Sequence, residues 1–328
     1  MDSTLPRPLA VSLVFSLLTG ACDQSSDQAA KTAEATQTAA LAPVGAGTVE
    51  APQLADTATS GSVTSAGSRA PAVRGSRPRP PTKTETFKPV VGQAGKDVVW
   101  VPTPQPLVDK MLEMANLTRN DIHFDLGSGD GRTVITAAKR GANSTGVEYN
   151  PDMVALSKRL AAQEGVGGTA KFVEGDIFKT DFSKATVVTL FLLSDLNLKL
   201  RPTLLNMKPG TRVVSNTFKM GEWEPDQTQA ITEKDGCNAY CTAHLWIVPA
   251  KVGGKWRLPD GELQLTQSFQ QVSGTLGSTP VKGSLRGDQI NFVAGNAQYT
   301  GRVNGNTVTG RVTTGSSTRP FTATRIGS

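Results

Sequence analysis

Apolar runs and helix-period segments alternate along the middle of the chain. Ile122–Leu126 is apolar enough for a buried parallel strand, and residues 133–140 repeat at a helical period. Residues 144–148 and 170–174 predict a second and a third strand. Between them Asn150-Pro151-Asp152 predicts a helix start, with Asn150 as cap and Pro151 in the first helical position. A fourth strand is expected over 185–193, a helix from about 196 to 207, and a fifth strand over 211–216. Lys208-Pro209-Gly210 stops that helix. Strands alternating with helices predict an α/β doubly wound sheet, whose ligands bind outside the carboxyl ends of its strands. His123 and His244 fall inside strands and read as structural.

The pattern changes after residue 250. Leu263-Gln264-Leu265-Thr266-Gln267 and Gln289-Ile290-Asn291-Phe292-Val293 alternate apolar and polar at a period of two, which predicts an all-β domain over 251–328. Turn signals at Arg286-Gly287-Asp288, Gly295-Asn296 and Asn304-Gly305-Asn306 join its short strands into a meander. Similarity among Val272-Ser273-Gly274-Thr275, Tyr299-Thr300-Gly301-Arg302-Val303 and Val308-Thr309-Gly310-Arg311-Val312 suggests a repeated hairpin. The segment resembles glycine-rich β appendages of bacterial envelope proteins that open on a Gly-x-Trp element, here Gly254-Lys255-Trp256.

The front of the chain follows neither pattern. Residues 9–18 are apolar but too short to span a bilayer, which fits a signal-peptide core within 1–22. Leu18-Thr19-Gly20-Ala21-Cys22 resembles a lipoprotein processing site, so Cys22 is the expected membrane tether. Residues 23–95, rich in Ala, Thr, Ser, Gly and Pro, are expected to be a disordered linker, leaving an α/β domain over 96–250. The expected location is the cell envelope, periplasmic or lipid-anchored, with the cytoplasm as the alternative. Cys237 and Cys241 form either a disulfide or two free thiols, and lack the further ligands a zinc site needs.

Charge narrows the partners. The chain carries a formal charge of +6, yet residues 96–250 hold 17 basic and 18 acidic side chains, no footprint for nucleic acid. The excess sits in 251–328, with 9 basic against 3 acidic, so this part is a candidate for contact with an acidic envelope polymer.

The chemistry concentrates in Asp125-Leu126-Gly127-Ser128-Gly129-Asp130-Gly131-Arg132, a glycine turn at the end of the first strand. A dinucleotide turn, G-x-G-x-x-G, would need glycine where Arg132 stands, and no Gly-Lys-Ser/Thr follows for a P-loop. Glu148, at the end of the second strand, lies at the interval where a carboxylate meets ribose hydroxyls.

The glycine spacing D-x-G-x-G-x-G resembles that of class I methyltransferases that use S-adenosylmethionine, in which the chain passes close to the cofactor's methionine part. With Trp100-Val101-Pro102-Thr103-Pro104 and the stretch 187–200, it is similar to the lysine methyltransferases of the ATP synthase c subunit and their bacterial relatives. The resemblance implies a Rossmann-like sheet with an antiparallel late hairpin over 227–249. It implies S-adenosylmethionine as cofactor, held by Trp100, Asp125, Gly127, Ser128, Gly129, Gly131, Glu148 and, near the adenine amino group, Asp176. Residues 100–104 would help close that site. Trp100 either packs on the adenine, donates an indole bond, or is a plain core aromatic. Known members methylate protein lysines, so a protein substrate is expected. Asp195 and Asn197 stand where such enzymes meet their acceptor, although Asp195 also suits a helix cap. Leu192-Leu193-Ser194-Asp195 replaces the Asn/Asp-Pro-Pro-Tyr of enzymes that methylate nucleobases, which disfavours that substrate. The other function class is an exported binding module that keeps the fold without turnover.

Overall fold

Asp121 and Arg212 tie the base of the first and fifth strands together with a partly buried ion pair. The structure, a computed structural model, describes residues 87–327. The expected signal segment, Cys22 and most of the linker lie outside the described residues. Seven strands form one sheet: β1 (Ile122–Leu126), β2 (Asn143–Glu148), β3 (Ala170–Glu174), β4 (Val187–Leu190), β5 (Arg212–Asn216), β6 (Gln227–Ala230) and β7 (Thr242–Ile247). Their order is β3-β2-β1-β4-β5-β7-β6. The first five are parallel, and β7 runs antiparallel between β5 and β6. The late hairpin is therefore present, with its second strand inserted inward. Strand order reverses beside β1, which opens a ligand crevice at the carboxyl ends of β1 and its neighbours.

Alternation along the strands decides which helix covers which face. Val187, Val214 and Leu245 pack with Leu107 and Met111 of α1 (Gln105–Met114). Their neighbours Val188, Val213 and Trp246 pack instead with Leu196, Leu200 and Leu204 of α4 (Ser194–Leu205). Between them in sequence, α2 (Arg132–Lys139) and α3 (Pro151–Gln163) pack Val134, Ile135, Val154 and Ala161 with Ala170 and Phe172 of β3. Each such buried aliphatic side chain contributes about 1.5–3 kcal/mol.

The fourth strand is shorter than its apolar run. Ala185 is turned back by a bond from its N–H to the Phe182 carbonyl, and Leu193 is already the cap of α4, so only 187–190 remain extended. The same cap starts α4 two residues before the expected position. Ala94 bridges Val99, and the Trp100 N–H donates to the Gln93 carbonyl at 2.9 Å, so an ordered hairpin already surrounds residue 96.

The C-terminal part closes more completely than a meander. Strands β8 (Gly254–Leu258), β9 (Gly261–Ser268), β10 (Gln271–Leu276), β11 (Thr279–Arg286), β12 (Gln289–Ala294), β13 (Ala297–Asn304), β14 (Thr307–Thr314) and β15 (Ser317–Gly327) form a closed antiparallel barrel, in which β15 pairs back to β8. Closure leaves no free sheet edge. Its interior is filled by Trp256, Leu263, Leu265, Ile290, Phe292, Tyr299 and Phe321, among others. The repeated Thr-Gly-Arg finds its reason at the β13–β14 pair, where Gly301 faces Gly310 and a Cβ at Gly310 would strike the Thr300 carbonyl.

Sheet and barrel belong to one compact unit. The tip of the β9–β10 hairpin reaches the sheet domain. Phe269 stacks on Trp223 at 6.2 Å and lies under the Arg201 guanidinium at 5.4 Å, while the Gln270 amide donates to the Glu224 carbonyl at 2.8 Å. Arg201 in turn donates to the Met220 carbonyl at 2.9 Å. The barrel thus braces both α4 and the 217–226 segment after β5. Phe269→Ala is expected to lower stability by about 2 kcal/mol, since its half-buried ring is lost. Urea unfolding checks this; an unchanged midpoint would mean that the tip braces nothing.

Candidate functional site

The glycine turn leaves β1 with three residues in the left-handed region, Gly127 (φ +80°), Gly129 (φ +53°) and Gly131 (φ +80°), a conformation that side chains resist. Packing adds a second reason. A Cβ on Gly129 would lie 2.5 Å from Nε1 of Trp100, and one on Gly131 would lie 2.6 Å from the Phe172 ring and 2.9 Å from Ser157. The requirement at 129 and 131 thus comes first from the protein's own side chains; at Gly127, which is exposed, the nearest group is Leu192 at 3.1 Å. Arg132 stands in place of a third dinucleotide glycine. It grips the Asp130 carboxylate through Nε and Nη2 and donates from Nη1 to the Thr103 carbonyl at 3.0 Å, which ties the 100–104 segment to the turn.

Glu148, at the end of β2, is fixed by two backbone donors. Oε2 accepts from the Gly129 N–H and Oε1 from the Asn150 N–H, both at 2.9 Å. Each oxygen keeps a second lone pair, so the carboxylate can still accept a pair of hydroxyls. Asn150 caps α3, accepting from the Asp152 and Met153 N–H groups. Asp176, past β3, accepts from the Phe178 N–H at 2.9 Å and faces Lys96 at 3.7 Å. That backbone bond, then the nearby lysines, hold its carboxyl below the usual range.

Asp125 lies beneath the turn, 6% exposed, and its Oδ1 accepts from Thr189 Oγ1 at 2.6 Å. Burial pushes its carboxyl up to about 7; the Thr189 bond opposes this, and the charges of Asp130 and Glu148 add to it. Thr189 also meets Nε2 of the fully buried His123 at 2.9 Å, and His123 Nδ1 meets Ser144 Oγ at 2.6 Å. Because the Thr189 hydroxyl donates to Asp125, it accepts from Nε2–H, and Nδ1 accepts from Ser144. Burial presses the His123 pKa down to about 3, so the ring is neutral and serves as a link between strands. His244 likewise sits inside β7, bonded to Thr228 and the Thr217 carbonyl.

The turn carries one buried polar atom without a partner among the described residues, Ser128 Oγ. That hydroxyl lies over Gly146 of β2, where a Cβ would come within 2.5 Å of it; the free lone pairs of Glu148 and the bare backbone at Gly127 fit a nucleoside with a polar tail, S-adenosylmethionine, better than an apolar ligand. Over this edge lies the 92–100 hairpin. Trp100 covers Gly129, and Lys96 reaches Asp176 while standing 5.6 Å over the Tyr149 ring. Trp100 is therefore half-buried against the turn, not within an apolar core. Tyr149 (54% exposed) and Phe178 (39%) stand beside Glu148 and Asp176 at the ends of β2 and β3, and alternation alone did not single them out.

At the end of β4 the two expected acceptor residues separate. Asp195 is exposed on the first turn of α4, and the cap is Leu193, so capping does not account for it. Asn197 is fully buried; its amide donates to the Phe218 carbonyl at 3.1 Å and Ser215 Oγ at 3.3 Å, and its Oδ1 has no partner among the described residues. Asn197 therefore links α4 to the chain after β5. The described residues hold no cluster of metal-ligating side chains and no helix long and apolar enough to cross a membrane. Cys237 and Cys241 form a disulfide.

Known proteins match this half of the chain. The family model of the ANTKMT methyltransferase domain matches residues 125–227. A protein-lysine N-methyltransferase of Saccharolobus islandicus is 43% identical over 154 residues, covering 46% of this chain and 94% of the relative. The human lysine N-methyltransferase of the ATP synthase c subunit is 36% identical over 128 residues, and the chain spans only 54% of its length. A crystal structure described as an RNA methyltransferase from Salinibacter ruber in complex with S-adenosyl-L-homocysteine is 45% identical, covering 46% of this chain and 96% of that one, at a TM-score of 0.43. A glycine turn of this spacing on a 3-2-1-4-5-7-6 sheet, together with 43% identity across nearly the whole of one relative, places the chain in the class I S-adenosylmethionine-dependent methyltransferases.

Proposed function

We propose that this enzyme methylates the side-chain amine of a protein lysine, and that it does so in the cell envelope. The identity to the Saccharolobus islandicus protein-lysine N-methyltransferase over 94% of that protein carries the acceptor assignment. Glu148 would hold the ribose, Asp176 the adenine amino group, and the 127–131 backbone with Ser128 the methionine part; Trp100 would close over them. S-adenosylmethionine supplies a methyl group on a sulfonium whose sulfur leaves neutral. The lysine nitrogen would have to meet that methyl group as a neutral amine, so the chain's own residues would supply deprotonation and above all positioning, which provides most of the acceleration. Asp195, exposed where β4 gives way to α4, would take the proton, and Asn197 would keep the flanking chain in register.

The Cys237–Cys241 disulfide supports an oxidising compartment. Tethering through Cys22 would keep the enzyme at a membrane. In the C-terminal part, Glu262, Asp288 and Asp260 pair with Lys255, Arg302 and Arg319 respectively, leaving the other six basic side chains, among them Arg257, Lys282 and Arg311, without an ion pair to one of its carboxylates. That surplus suits an acidic envelope polymer.

The full chain, incubated with methyl-labelled S-adenosylmethionine and cell-envelope fractions, is expected to place label in protein that hydrolyses to methyl-lysine. Label confined to RNA, lipid or small molecules would overturn the acceptor assignment.

A further inference from the structure

Three aromatic rings from separate strand ends meet at the carboxyl edge of the sheet. Phe191 directly follows β4, Phe218 lies just past β5, and Tyr240 just precedes β7, whose antiparallel course puts its start on the same edge. Ring centroids lie 5.2 Å apart for Phe191 and Tyr240, 6.2 Å for Phe191 and Phe218, and 6.4 Å for Phe218 and Tyr240. Phe218 is 2% exposed and forms the floor, while Phe191 and Tyr240 are half-buried. None of the three belongs to the apolar cores that hold the sheet and helices together, so general core packing does not explain them.

Their place in the strand order does. Along this edge the sequence of strands is β2, β1, β4, β5, β7, with Glu148 and the glycine turn on the first two and the rings on the last three. A methyl donor held at β1 and β2 has the rings as its neighbour across the switch point. Asn197 fixes the ring side to the helix after β4, since its amide holds the Phe218 carbonyl.

Tyr240 is held there against its own preference. Its φ is +56°, an uncommon conformation for a residue with a side chain, and it lies in the short loop closed by the Cys237–Cys241 disulfide. We propose that Phe191, Phe218 and Tyr240 form the acceptor-amine site, in which the aliphatic stem of a lysine lies along the rings, and that the disulfide keeps Tyr240 in that site. This rests on the lysine reading above. Ring faces attract an ammonium at encounter. Removal from water lowers the amine's pKa and favours the neutral nucleophile. Acceptor use therefore depends on the oxidation state of Cys237 and Cys241, whereas cofactor binding does not.

The test compares the full chain with Tyr240→Ala, Tyr240→Leu, Tyr240→Phe and the double variant Cys237→Ser, Cys241→Ser. The acceptor probe is a synthetic peptide pool with one central lysine; KM for the pool and kcat are measured by label transfer, and cofactor affinity by calorimetry. Tyr240→Ala and Tyr240→Leu are expected to raise the peptide KM about tenfold, and Tyr240→Phe to stay within about twofold because it keeps the ring face. The double serine variant, and wild type treated with reductant, follow Tyr240→Ala, with cofactor affinity unchanged throughout. An unchanged KM in Tyr240→Leu or in the reduced enzyme would overturn the inference, as would a parallel loss of cofactor affinity. A wild-type enzyme that binds cofactor but labels no lysine peptide would instead remove the lysine reading itself.

Discussion

Gly129→Val is expected to weaken S-adenosylmethionine binding by about a hundredfold, or ~2.7 kcal/mol. Two costs combine. The residue sits at φ +53°, where a β-branched side chain is strained by about 1–3 kcal/mol. The new Cβ would also fall 2.5 Å from Nε1 and 2.9 Å from Cδ1 of Trp100, so the indole must leave the turn and open the edge it covers. The Gly129 N–H that fixes Glu148 moves with it, which disturbs the ribose acceptor as well. Gly131→Val should behave differently. Its Cβ would enter the Phe172 ring and Ser157 inside the α2–α3 core, so the loss appears first in stability. Calorimetry and thermal unfolding on both variants separate the cases; a Gly129→Val protein that binds as wild type would contradict the cradle.

Asp125→Asn is expected to stabilise the ligand-free protein at pH 8 by up to about 4 kcal/mol, from a carboxyl raised by about three pKa units at about 1.36 kcal/mol each. The folded-state pKa, about 7, lies above the ordinary 3.8. The folded state therefore binds the proton more tightly than the unfolded chain, and the associated stability is complete below pH 3.8 and lost as the pH rises through about 7. Asparagine keeps the acceptor for Thr189 Oγ1 without the charge. Urea unfolding of both proteins at pH 4 and pH 8 should give a difference that is small at the lower pH and large at the higher. Parallel profiles would show that the carboxyl is not desolvated in the manner described. A destabilising acid kept beneath a ligand crevice is characteristic of binding sites, where function sets the residue.

Much of the catalytic half was legible in the chain because local rules agree there. Strands β1 and β3 fall where their apolar runs end, Asn150 and Pro151 open α3, and glycine-led pairs such as Gly287-Asp288 and Gly295-Asn296 form the barrel turns. Less legible were features set by long-range meetings. Apolar content extended β4 in both directions, whereas the turn at Ala185 and the cap at Leu193 shorten it. Barrel closure depends on Trp256 facing Arg325, a pairing without a local signal. Trp100 over Gly129 and the meeting of Phe191, Phe218 and Tyr240 likewise join residues that no spacing rule connects. The Asp125–Thr189–His123–Ser144 chain crosses three strands and is read only from their register.

Amide hydrogen exchange of the full chain, with and without saturating S-adenosylmethionine, tests the central claim most directly. The account predicts new protection at 127–132 and 148–153 and in the 92–100 hairpin, with none in the barrel strands over 254–327. Protection confined to the barrel, or absent from the glycine turn while the cofactor is bound, would contradict it.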